Sequence, residues 1–74
     1  MKYDYGDAVI LTIHDQSGNV SRRPCAVVGI TCVENEARSR ALGRPLGSTL
    51  YTVEFGDGSD QLVLEEALEP DDDA

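Results

Sequence analysis

The side chains of this 74-residue chain that could do chemistry are one histidine, two cysteines and fourteen carboxylates. A general base or nucleophile needs a partner that takes or holds its proton. His14 has only Asp15 beside it, with no serine or cysteine placed to be activated, and reads as a strand-end residue. Cys25 and Cys32 lie seven apart in one apolar run, which in an extended strand is about 23 Å, far beyond the reach of a disulfide. An odd spacing also sends them to opposite faces unless a bulge intervenes, so both are expected as reduced thiols. Asp71-Asp72-Asp73 is a terminal run without the glycine turn of a calcium loop, and Asp57-Gly58-Ser59-Asp60 matches too few loop positions. No catalytic residue, metal site or cofactor is expected, and the chain is not read as an enzyme. The remaining chemistry is that of charge, carried by Glu54, Asp57, Asp60, Glu65, Glu66 and Glu69, the candidate partner-binding set.

That charge is unevenly placed. From Pro45 to Ala74 there are nine carboxylates and no Lys, Arg or His, whereas the first forty-four residues hold six bases against five acids. The formal charge of −8 is therefore +1 in front and −9 behind. Such a field repels nucleic acid and anionic membranes and steers basic partners, more weakly as salt rises. A protein that meets another, cationic, protein is the function class it favours.

The elements that must position these residues are short strands. Residues 7–14 are rich in β-branched side chains with Val9, Leu11 and Ile13 on one side at period two, and Asp15-Gln16-Ser17-Gly18-Asn19 supplies a turn. A second strand is expected from Pro24 to Val33, bulged or bent at Gly29. Residues 34–48 break the pattern: Glu34/Arg38 and Glu36/Arg40 are acid-before-base pairs at i,i+4 and Gly43 could cap a helix, so one or two helical turns or a plain loop both fit. Thr49–Phe55 alternates as the clearest strand, Gly56 to Asp60 is a hairpin turn, and Gln61–Leu64 is a short fourth strand. Glu65 to Pro70 reads as one tight helical turn with Leu68 against the core.

Length allows one domain with a small core, assigned to residues 1–70 with 71–74 as a flexible acidic tail. Leu, Ile, Val and Phe make 18 of the 74 residues, above the roughly 20% below which a chain stays disordered. No apolar run approaches the eighteen or so residues that cross a bilayer, and acids near the start break any signal-peptide pattern, so a cytoplasmic location is expected.

The order Gly-Asp-x-Val at Gly6 to Val9, Val-Val-Gly-Ile at Val27 to Ile30 and Tyr-x-Val-x-Phe-x-Asp-Gly at Tyr51 to Gly58 resembles a small SH3-like barrel. The fold class implied is all-β, with four to five antiparallel strands and a one-turn helix near the C-terminus. More specifically the chain resembles the immunity proteins of bacterial polymorphic toxin systems, in particular the immunity protein 31 family. The likeness rests on the aromatic start and strand from Tyr3 to Ile10, Ala26 to Ile30, Tyr51-Thr52-Val53, and the ending Glu65-Glu66-Ala67-Leu68-Glu69-Pro70. Asp71-Asp72-Asp73 stands where the family pattern has Thr-Gly, and 34–48 is a long insert.

The resemblance implies an inhibitor, monomeric when free, that forms a one-to-one complex with a cognate toxin domain and blocks its active site or substrate groove. The acidic surface would meet the toxin's Lys and Arg. Other function classes fit the same residues: an SH3-like adaptor module, or a nucleic-acid-binding barrel using Arg22, Arg23, Arg38, Arg40 and Arg44 with Tyr3, Tyr5 and Tyr51 as stacking platforms. The net field opposes the last.

Overall fold

The computed structural model describes residues 2–72. Five strands form one antiparallel sheet: β1 (Ala8–His14), β2 (Val20–Cys32), β3 (Thr49–Phe55), β4 (Asp60–Leu64) and β5 (Leu68–Pro70). Their order across the sheet is β4-β3-β2-β1-β5, so sequential strands pair as hairpins while the last crosses over to lie beside the first. A helix, α1 (Glu36–Leu42), links β2 to β3, and a single 3-10 turn, Glu65–Ala67, links β4 to β5. The small, barrel-like all-β fold expected from the pattern is the one found.

Two aspartates shape the hairpins. Asp15 accepts from the Ser17 amide and hydroxyl and from the Asn19 amide, and Asp57 accepts from the Ser59 amide and hydroxyl (3.0 and 2.6 Å). In each case the carboxylate mimics a backbone turn, and a following glycine supplies the left-handed residue, Gly18 at φ 87° and Gly58 at φ 87°. Those hydrogen bonds to the charged form hold both carboxyls below the ordinary aspartate range.

The second strand begins earlier than its sequence suggests, at Val20 rather than Pro24. Pro24 looks like a natural strand start because it has no N–H to donate. It is tolerated inside because it faces Ile10 on β1, while the β2–β3 ladder opens one residue later at Cys25 opposite Phe55. A register shift between Val27 and Gly29 confirms the expected bulge. It leaves Val28 exposed and switches the strand's parity, so that Val27 and Ile30, three apart, both pack on the core. A Cβ on Gly29 would sit 3.1 Å from that of Thr52, closer than most side chains pack.

The core is Val9, Leu11, Val27, Tyr51, Val53, Phe55, Val63 and Leu68 with Tyr3 from the N-terminal arm, and Ile13 packs against it. Full burial of an apolar side chain is worth about 1.5–3 kcal/mol, so these residues carry most of what stabilises so small a domain. Two details differ from the pattern-based reading, the i,i+4 pairs and the C-terminal turn, and for residues 34–48 the helix, one of the two alternatives, is the one formed. Residues 34–48 contain a true helix: Asn35 caps it by accepting from the Arg38 amide (2.8 Å), and Gly43, left-handed at φ 66°, ends it. Neither Glu34/Arg38 nor Glu36/Arg40 closes as an ion pair; among the described residues those pairs are Arg22–Glu69 and Arg23–Asp57. The tight turn stops at Ala67, and 68–70 becomes a strand because Leu68, Glu69 and Pro70 find Leu11, Ile10 and Val9 across from them. The Asp71 amide carries this on by donating to Ala8 O (3.1 Å), whereas Asp73 and Ala74 of the expected tail lie outside the described residues.

Candidate interaction surface

The six candidate carboxylates do not form one patch. Glu54 and Asp60 are directly opposite each other in the β3–β4 ladder, both exposed, and Asp57 sits in the turn that joins those strands. These three make an acidic end to the hairpin. Like charges directly opposed across two strands are mutually destabilising. Arg23 lies over the Phe55 ring, 4.0 Å from its centroid, and reaches Asp57 at 4.0 Å.

Glu65 does something different. The Tyr51 hydroxyl donates to its carboxylate (2.6 Å), and so does the Lys2 amide (3.1 Å). The amides of Lys2 and Tyr3 in turn donate to the Tyr51 oxygen (3.1 and 3.3 Å), and the Tyr3 hydroxyl donates to Leu68 O (3.0 Å). The two rings meet edge to face, with centroids 5.4 Å apart. Glu65 thus ties the N-terminal arm to the turn before β5. The Tyr51 hydrogen bond, then that from Lys2, holds its carboxyl below the ordinary range, while burial, reinforced by the bond to Glu65, pushes Tyr51 up. Its position in a partly buried network comes from tertiary contact between residues fourteen and sixty-three apart in sequence, which no local pattern signals.

Glu69 is on the far edge of the sheet, on β5, and forms an ion pair with Arg22 of the long β2. Glu66, in the 3-10 turn, is exposed. Of the six, Glu54, Asp60 and Glu66 are exposed with no ion pair among the described residues.

The other candidate residues are placed as follows. His14 ends β1, exposed. Cys25 and Cys32 are free and half-buried, and burial raises the Cys25 thiol. Because the bulge lies between them, the parity argument for opposite faces does not hold, though the strand still separates them along its length. Of the tyrosines offered as stacking platforms, Tyr3 and Tyr51 are buried in the core and Tyr5 alone is exposed, at 64%. Among the described residues no three His, Cys, Asp or Glu side chains converge as a metal ligand set, and no helix is long and apolar enough to cross a membrane.

No protein-family model, curated protein or solved structure matches this chain.

Proposed function

We propose that this protein is an immunity-type inhibitor, which binds a basic toxin domain and blocks its active site or substrate groove. The observation that carries the reading is the directly opposed, unneutralised pair Glu54 and Asp60 beside the turn carboxylate Asp57, in a half-chain of net charge −9. A like-charged pair that weakens its own hairpin becomes favourable when a partner's Lys or Arg lies across it. Complementary charge of this kind raises association towards about 10⁸–10⁹ M⁻¹s⁻¹, which suits a protein that must neutralise a toxic enzyme quickly. The likeness of the Tyr3 to Ile10 and Glu65 to Pro70 segments to the immunity protein 31 family points the same way. Glu65 and Glu69 are assigned to holding the fold, and Glu54, Asp57, Asp60 and Glu66 to the partner.

The test is co-expression with a toxin domain encoded beside the gene. Glu54→Lys, Asp60→Lys and Glu66→Lys together spare the Asp57 turn and the Glu65 network, so the fold should persist by circular dichroism while protection of the cells is lost. Binding of the wild type should slow as salt rises, with little change in dissociation. A triple variant that still protects refutes the assignment of the surface. If no neighbouring toxin domain binds, the immunity reading itself fails and a peptide-binding adaptor becomes the better account.

A further inference from the structure

The sheet has two edges, and they are protected very differently. β5 is three residues long and ends in Pro70, the short, proline-bearing edge by which natural sheets avoid extra pairing. β4, at the other end of the order, is Asp60-Gln61-Leu62-Val63-Leu64, with no proline, no lysine and no bulge. Its ladder fixes which backbone groups are free. Phe55 N–H donates to Ser59 O (2.8 Å), and alternation from that pair turns Gln61 and Val63 towards β3. The N–H and C=O groups of Leu62 and Leu64 then point away from the sheet.

Beside this edge runs a cleft lined by residues 61–64 of β4 and by Leu11, Thr12 and Ile13 of β1, with Ala67 and Arg44. The cleft exists because β5 covers β1 only from Val9 to Leu11. Leu62 is 45% exposed, an apolar side chain beside unpaired backbone. Carboxylates stand at both ends: Asp60 at the start of the strand, Glu65 and Glu66 just past its end. A second copy of this chain would bring its own −8 against them, so charge disfavours edge-to-edge pairing of copies and favours a cationic segment.

We infer that β4 is a docking edge: an extended segment of a partner protein, apolar at its centre and basic at its ends, adds to the sheet as a sixth strand along Leu62 and Leu64. Main-chain hydrogen bonds supply binding, the cleft takes alternate apolar side chains, and Asp60 and Glu66 select the basic ends, about five to six residues apart. The inference deepens the proposed function, on which it rests for the partner's basic character.

The probe is a blocked heptapeptide, Lys-Val-Thr-Val-Thr-Val-Lys, added to the full chain and followed by amide hydrogen exchange in NMR. The Leu62 and Leu64 amides should exchange freely in the absence of peptide and slow at least tenfold in its presence. The same peptide with its five central amides N-methylated should bind at least tenfold more weakly. Leu62→Pro, which removes an outward N–H and no ladder bond, should likewise lose at least tenfold; if that variant does not fold, the methylated peptide decides. Peptide binding that shifts Glu54 and Asp57 without slowing Leu62 and Leu64 overturns the inference while leaving the acidic-surface reading intact. Protection that appears without peptide and grows with protein concentration also overturns it, in favour of pairing between copies. Strand addition by the peptide together with failure of every neighbouring toxin domain to bind would instead sink the immunity reading alone.

Discussion

Tyr51→Phe deletes one oxygen and tests the network that joins the two ends of the chain. The ring is fully buried and stays so in the variant, so the apolar contribution is unchanged and the loss is that of hydrogen bonds. The hydroxyl donates to a carboxylate at 2.6 Å, and a hydrogen bond to a charged group contributes about 1.5–3 kcal/mol. Removing it also strips the acceptor from the buried Tyr3 amide at 3.3 Å, which adds about 1 kcal/mol for a donor left without a partner. The expected cost is about 2–4 kcal/mol, which at about 4–8 °C per kcal/mol for a domain of this size lowers Tm by about 8–32 °C. Glu65→Gln keeps an acceptor for the hydroxyl and should cost less. The two changes should be non-additive, since they share one bond. The pH dependence has a definite sign. Glu65 is depressed when folded, so its stabilisation is present above the unfolded value of about 4.3 and is lost as pH falls through the folded value. Tyr51 is raised, so its contribution is present below about 10 and is lost as pH rises through the folded value above that. Urea denaturation of wild type, both single variants and the double variant at pH 7 and at pH 3 reads the acid limb, and a series carried above pH 10 reads the tyrosine limb. If Tyr51→Phe costs under about 0.5 kcal/mol, or if Glu65→Gln leaves the acid limb of the stability profile unchanged, the network does not hold the fold as argued.

Two further outcomes are open to simple measurement. Phe55→Ala, at a side chain 5% exposed beneath Arg23, should cost about 3–5 kcal/mol and leave much of the protein unfolded by circular dichroism, whereas Thr52→Ala on the opposite face of the same strand should cost about 1 kcal/mol or less; equal costs would mean that the inward face of β3 is misassigned. Both cysteines should titrate as free thiols in non-reducing denaturant, and in the folded protein Cys25, whose thiol burial raises, should alkylate at neutral pH several-fold more slowly than it does unfolded; a recovered Cys25–Cys32 bridge would contradict the strand that separates them.

The strands were legible in the chain wherever period two was strong. Val9, Leu11 and Ile13, and Tyr51, Val53 and Phe55, alternate because one face of each strand is buried, and that alternation is a local property. The turns were legible for the same reason: an aspartate two residues before a serine, with a glycine free to turn left-handed, closes a hairpin using atoms within five residues of one another. Gly29 also announced its bulge, since a glycine inside a strand marks a place where something must come close. What local pattern could not supply was any pairing across long stretches of chain. Pro24 obscured the true start of β2 because its harmlessness depends on which neighbour it faces. Leu68 to Pro70 looked like the continuation of a turn because the strand it joins lies almost sixty residues away. The charge asymmetry, a sum over sequence, was visible without coordinates. Its division was not: only the folded sheet sets Glu54 against Asp60, commits Glu69 to Arg22 and brings Glu65 to Tyr51, because an ion pair or a tertiary hydrogen bond is made by distance in space and not by distance along the chain.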